Sequence, residues 1–345
     1  MPVIWLIDAY RAGEQSQVRA LVDALGWPCE TKQLRYRKHV VLPHVLGLAS
    51  LRGITTESAA MLEPPWPDLV ISCGVRNEPV CRWIRKHSGG RTRYVHVGRP
   101  WGRLSSFDLV ITTPQYRVPH RTNVLNNTLT LHSVTAERLA AAREEWAATF
   151  SQLPRPRIAV IAGGNSGPFT FGPLAAARLA RQASTLARQN GGSLLVSTSS
   201  RTSDAAVKAL QGGIDVPHYF YRWKPSDPGN PYFGMLAAAD RLVVTGDSIA
   251  MLSEACATGR QVYMFDLGGM RGETGVAIDF RLGATLYAFL MRWLWRPLSR
   301  DITLVHRQLR TTGRAFWLEE ESGASMVPAQ SDMQRAVAAV ERLFS

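Results

Sequence analysis

Cysteine is scarce. Cys29, Cys73, Cys81 and Cys256 are the only four in 345 residues, and no two form a Cys-x-x-Cys pair. That spacing supports neither a disulfide framework nor a structural zinc site, and a reducing, cytoplasmic setting is the simplest reading. Long apolar runs are missing too. A membrane-spanning helix needs about 20 mostly apolar residues. The charge-free stretch Ile158–Ala177 is long enough but carries Gly, Asn, Ser and Pro through its centre, and Leu282–Met291 is short and bounded by Arg281 and Arg292. The start of the chain, Met1–Asp8, has the pattern of a strand rather than of a basic region followed by an apolar core. A soluble chain is expected. Heptads and short repeats are absent, which excludes a coiled coil or a solenoid. Acidic residues are in deficit, 27 against 40 Lys and Arg, for a net charge of +13. That balance suits nucleic acid, an anionic membrane surface or phosphorylated ligands. No recognised nucleic-acid motif accompanies it, so no nucleic-acid partner is expected.

What is present is a globular composition, with 46% apolar and 19% charged residues. Strand-like and helix-like segments alternate almost from end to end. Val3–Asp8, Pro67–Gly74, Tyr94–Gly98 and Phe107–Thr112 have strand character, while Glu14–Leu25, Asn77–His87 and Thr135–Leu153 have helical spacing. Pro154-Arg-Pro156 interrupts the pattern. Beyond it come strands at Arg157–Ala162, Ser193–Thr198, Arg241–Thr245 and Gln261–Phe265, and helices at Pro173–Asn190 and Ser248–Thr258. Ser331 and Gln334 are spaced as a capping box for a final helix. The expected fold is α/β, two Rossmann-like, doubly wound domains facing a central cleft. The domains are placed at 1–154 and 155–330, with a C-terminal helix at 331–345 for which packing back on the first domain is one option.

The strongest local motif is IAVIAGGNSGPF, Ile158–Phe169. A strand enters a glycine cluster, Gly163-Gly164-Asn165-Ser166-Gly167, and then a helix. Glycines let backbone N–H groups approach an anion, and a helix N-terminus adds partial positive charge. Neither a Walker loop nor a GxGxxG fingerprint is present at this turn. A tight βα turn with no ligand is the plainer alternative. The second motif is VVTGDSIAMLSEACATG, Val243–Gly259, in which Gly246, Asp247 and Ser248 form the turn and Glu254 lies nearly two helical turns on. Asp247 or Ser248 suits a helix cap. Glu254 suits a pair of vicinal hydroxyls, as on a ribose, or simply a solvated helix face. In the first domain the loop after the first strand brings Asp8 and Glu14 as carboxylates for proton abstraction, against ordinary capping and helix-dipole roles. Arg76 sits at another strand end, where it would meet a phosphate, a sugar or solvent. His96, inside a strand, has the position of a satisfied core histidine.

The paired motifs GGNSG and TGDSIAMLSEA, with FDLVITTP and NVLNNT ahead of them, resemble the mitochondrial-fission "elongated mitochondria" (ELM) family and its bacterial relatives. The resemblance covers Val3 to about Gly269. That family is regarded as similar to GT-B glycosyltransferases, and more remotely to the membrane-surface enzyme that adds N-acetylglucosamine to make lipid II. The resemblance implies Gly163–Gly167 and Ser248 at a diphosphate and Glu254 at a ribose. The lipid-II enzyme has a histidine in its first strand–helix loop, whereas residues 9–17 here contain none. A base would be Glu14, Asp8 or a residue elsewhere. No Asp-x-Asp metal signature occurs, and no metal or cofactor is expected beyond a nucleotide-diphosphate sugar as donor substrate.

The expected activity is therefore glycosyl transfer from such a donor to an acceptor hydroxyl. A nucleotide-sugar epimerase and a non-catalytic adaptor in membrane division are the alternatives. Tyr287, Phe289, Arg292, Trp293, Trp295 and Arg296 mix aromatic and basic character, which suits an anionic membrane surface and a lipid-linked acceptor, against an ordinary amphipathic core helix. A cytoplasmic protein, peripheral at the cytoplasmic face of a membrane, is the location that follows.

Overall fold

The computed structural model describes residues 1–9, 12–37, 47–268, 279–293, 300–320 and 331–345. The chain divides into two compact units, Met1–Ser133 with Ala329–Ser345, and Val134–Pro328. Each is built on a six-stranded, all-parallel sheet.

The first sheet runs in the order β2 (Cys29–Lys32), β1 (Ile4–Ile7), β3 (Leu69–Cys73), β4 (Arg93–Val97), β5 (Leu109–Thr112), β6 (Val124–Asn126). Its helices include α1 (Ala12–Leu25), α2 (Thr56–Ala60) and α3 (Glu78–His87). Central strands covered on both faces carry apolar runs, unbroken in IWLI and interrupted only by Ser72 in LVISC. Alternate residues then serve opposite faces. Ile4, Leu6, Leu69, Ile71 and Val95 pack with Val18 and Leu21 of α1, while Trp5, Ile7, Val70 and Tyr94 pack with Val80, Cys81 and Ile84 of α3.

The second sheet runs β12 (Phe316–Trp317), β11 (Gln261–Phe265), β10 (Arg241–Thr245), β7 (Arg157–Ile161), β8 (Ser193–Ser197), β9 (His218–Tyr221). Among the described residues its helices are α4 (Ala136–Glu145), α5 (Ala147–Ser151), α6 (Pro173–Gln189), α7 (Asp204–Gly212), α8 (Tyr232–Ala238), α9 (Ile249–Ala257), α10 (Leu282–Trp293) and α11 (Thr303–Thr311). The helical stretch expected over 135–153 is two helices, broken at Trp146. It belongs with the second unit because α4 packs on α8, and Gly234 lies so close to the Trp146 ring that a Cβ there would sit 2.4 Å from it. The unit boundary therefore precedes the Pro154–Pro156 break. The last helix, α12 (Asp332–Glu341), closes the first unit: Ala336, Ala339 and Val340 enter its core, and the Ser331–Gln334 capping box is formed. Among the described residues no helix is long and apolar enough to cross a membrane.

Candidate functional site

In the second unit the site is the turn that leaves β7 at its carboxyl end. The glycines are required by the chain's own packing. A Cβ at Gly163 would lie 2.4 Å from Asp247 Oδ1, and one at Gly164 would lie 2.2 Å from the Arg201 carbonyl oxygen. Gly163 N–H donates to Thr245 Oγ1 at 2.7 Å and Gly164 N–H to Asp247 Oδ2 at 3.0 Å. These two N–H groups are thus engaged within the protein. Ser166 and Phe169 close the turn by exchanging backbone hydrogen bonds, and Gly167 takes φ +57°, a left-handed conformation that favours glycine.

Asp247 is almost completely buried, with its Oδ2 also paired to Arg201 at 2.9 Å. Burial pushes its carboxyl above the ordinary value, opposed chiefly by the Arg201 charge. Its partner turn is braced from behind. His306 of α11, buried, meets the Gly246 carbonyl through Nε2 at 2.7 Å. A carbonyl accepts only from a donor, so Nε2 carries the proton, and burial holds the ring neutral with its pKa lowered to about 4.

Three arginines converge on the loop. Arg201 donates through Nη1 to the Asn165 carbonyl at 3.1 Å, Arg281 through Nη2 to the Gly167 carbonyl at 2.6 Å, and Arg300 to Ser166 Oγ. Tyr287 of α10 faces the same turn, 3.2 Å from where a Gly167 Cβ would be. The N-terminus of α6 is already occupied by the chain's own anion: Asp279 accepts from the N–H groups of Gly172 (3.2 Å), Leu174 (3.0 Å) and Ala175 (2.9 Å). The helix start after the glycine turn is therefore neutralised internally. At α9, the Ser248 side chain caps the helix by accepting from Met251 N–H.

Glu254, farther along α9, is not a solvated helix-face residue. Tyr232 of α8 donates its hydroxyl to Glu254 Oε2 at 2.6 Å. Burial raises the Glu254 carboxyl above its usual range, against the Tyr232 hydrogen bond and the Arg138 charge. Arg138 itself lies over the Phe233 ring at 3.6 Å.

In the first unit, Asp8 immediately follows β1 and Glu14 lies in the first turn of α1. Asp8 is a buried anchor: Oδ1 accepts from Ala9 N–H, and Oδ2 from Gln15 and from Arg19, each at 2.6 Å. Glu14 is half-buried in the first turn of α1. Arg76 is exposed, near the Tyr36 ring. His96 is fully buried between Tyr94 and the Arg99 carbonyl, and burial lowers its pKa, as befits a core histidine.

Of the expected membrane residues, Phe289 is exposed and Tyr287 faces the loop. The side chains of Arg292 and Trp293, and residues Trp295 and Arg296, lie outside the described residues. The stripe that is exposed comprises Phe280, Leu282, Leu286 and Phe289. Sequence reasoning did not identify Arg201, Tyr232, Asp279, Arg281, Arg300 or His306. Arg201 follows a strand end, a usable signal, whereas the others reach the site from distant segments that no local pattern marks.

A model of the family described as Mitochondrial fission ELM1 matches residues 12–278. The chain is similar to the mitochondrial fission protein ELM1 of Arabidopsis thaliana, 28% identical over 246 residues, covering 64% of this chain and 57% of that protein. The match thus spans little more than half of the plant relative. It is also similar to an uncharacterized protein of Rickettsia prowazekii, 24% identical over 295 residues, covering 76% and 82% of the two chains. Among solved structures it is similar to a UDP-GlcNAc 2-epimerase from Neisseria meningitidis bound to UDP-GlcNAc (12% identity, TM-score 0.48, 100% and 99% coverage). MurG of Acinetobacter baumannii is another (11% identity, TM-score 0.45, 99% and 100% coverage).

Proposed function

The chain belongs to the mitochondrial fission ELM1 family, and from that premise we propose that it transfers a sugar from a nucleotide-diphosphate donor to an acceptor hydroxyl. The observation that carries the reading is the convergence of Arg201, Arg281 and Arg300 on the glycine turn. In the reaction the acceptor oxygen bonds to the anomeric carbon, the bond from that carbon to the diphosphate oxygen breaks, and the electron pair leaves with the diphosphate. Charge therefore grows on the leaving group, where fixed guanidinium groups act most strongly. Glu254, with Oε2 held by Tyr232, presents its other oxygen to the donor's ribose. We assign the acceptor's proton to the carboxylates that follow β1, Asp8 or Glu14; Ala9, Gln15 and Arg19 donate to the Asp8 oxygens and hold that side chain in place.

We place the acceptor at a membrane surface. The exposed Phe280, Leu282, Leu286 and Phe289 stripe adjoins the arginines of the turn, and the +13 net charge favours anionic lipid.

A different observation favours the non-catalytic reading, a body that serves partner binding. Gly163, Gly164 and the α6 N-terminus are satisfied by the protein's own side chains. Incubation with UDP-, GDP- and CMP-sugars, following nucleotide release and sugar isomerisation by mass spectrometry, separates the readings. Release with an acceptor present supports transfer, isomer without release supports an epimerase, and neither supports the adaptor.

A further inference from the structure

At the opposite end of the second sheet, the strands begin beside an open cavity of about 260 Å³. Its wall carries Arg143, Arg155, Arg157 and Arg260, over a floor that includes Phe150 and Ala237. Arg157 opens β7 and Arg260 immediately precedes β11, whereas the glycine turn follows the end of β7. A five-residue strand separates the two places by about 16 Å at ~3.3 Å per residue.

The arginines are incompletely paired. Asp240 takes Arg155 through both Nε and Nη2 and accepts the Arg157 backbone N–H. Arg143 donates Nε to the Ala237 carbonyl at 3.1 Å, and Arg157 donates Nε to the Leu153 carbonyl at 3.2 Å. Among the described residues Asp240 is the sole carboxylate paired with this group, and no acceptor meets the Arg260 guanidinium. Burial, and next the Arg143 charge, pull Arg260 below the usual guanidinium value.

We propose that Arg143, Arg155, Arg157 and Arg260 form a second anion site, for a compact ligand bearing a phosphate monoester or a diphosphate. Several guanidinium forks around one cavity match the geometry of phosphate oxygens and favour more than one negative charge. The volume falls just below the ~300 Å³ at which drug-sized pockets begin, which suits a phosphorylated headgroup or small metabolite. The site does not depend on the donor reading, since it shares no residue with the glycine turn.

Equilibrium dialysis of the full chain against inorganic pyrophosphate at low salt counts the anions bound. Arg143→Gln with Arg260→Gln is expected to lose one equivalent, or to hold it at least about tenfold more weakly. The melting temperature without ligand is expected to be equal or higher, because like charges are removed. Arg188→Gln with Arg222→Gln, two exposed arginines of the same unit, matches the change in net charge and is expected to keep full binding. Unchanged binding in the first pair, or equal loss in both pairs, overturns the proposal. Arg143 is exposed, so Arg143→Gln alone gives the same test, with a weaker but measurable loss, should the double variant not fold. Vesicles containing phosphatidic acid separate the sources of phosphate. Flotation that falls with the double variant assigns a lipid headgroup, and unchanged flotation with lost pyrophosphate binding assigns a soluble ligand.

Discussion

The Tyr232 hydroxyl donates to the Glu254 carboxylate at 2.6 Å, joining α8 to α9. The bond fixes the rotamer of Glu254 and takes one of its two oxygens. On the proposed reading, a hydroxyl of the donor's ribose donates to the other oxygen. Burial raises both groups, the tyrosine well above its usual value.

His306 makes the fold acid-sensitive. Its folded-state pKa of about 4 lies below the ordinary 6.5, so its contribution is complete above pH 6.5 and lost as pH falls through about 4. That shift corresponds to roughly 3 kcal/mol. Asp247 and Glu254, with raised values, act in the opposite sense and lose stability as pH rises through their folded values. Urea midpoints from pH 4 to 7 are expected to fall more steeply with acid in wild type than in His306→Gln, which keeps a donor for the Gly246 carbonyl but does not titrate.

Gly164→Ala is expected to destabilise by about 1–3 kcal/mol, because the new Cβ meets the backbone of Arg201 rather than a side chain that can swing away. Gly13→Ala in α1, where nothing lies within 4 Å of the new methyl, should be neutral or slightly stabilising. Denaturant midpoints of the two variants check the contrast.

Asp279→Asn removes the carboxylate from the α6 N-terminus. The expected loss is about 1 kcal/mol. Added phosphate should recover more stability in this variant than in wild type, since an outside anion no longer competes with an internal one. Equal recovery in both would show that ligand and Asp279 do not share those N–H groups.

Leu286→Ser with Phe289→Ser is expected to lower flotation on anionic vesicles several-fold. Both side chains are more than half exposed, at 58% and 56%, so the melting temperature should barely move. A large loss of stability would show the stripe to be packed in the folded protein.

The central strands were legible in the sequence because burial on both faces demands apolar runs, unbroken at Ile4–Ile7 and interrupted only by Ser72 at Leu69–Cys73. The edge strands were not. Cys29–Lys32 is mostly exposed and polar, His218–Tyr221 is partly exposed, and Phe316–Trp317 has two residues. Their pairing comes from the neighbouring strand rather than from their own pattern. In the site, the glycine turn and Glu254 stood out by spacing, but the reason for the glycines did not. Their neighbours are Asp247 and Arg201, brought in by other strand ends. Arg281 and Arg300 join the turn, and Asp279 the N-terminus of α6, only through tertiary structure, so no window of sequence contains the arrangement.

On the proposed reading a nucleotide-diphosphate sugar binds at the glycine turn with its ribose on Glu254. Thermal and chemical denaturation of wild type and Glu254→Gln, with UDP, GDP, CDP and their sugars, probes that binding. One nucleotide is expected to stabilise wild type by about 2.7 kcal/mol at a hundredfold excess over its dissociation constant. Glu254→Gln should bind that nucleotide at least tenfold more weakly while unfolding at nearly the same midpoint without ligand. No stabilisation by any of these nucleotides, or equal affinity in the variant, would rule out a donor nucleotide held by Glu254.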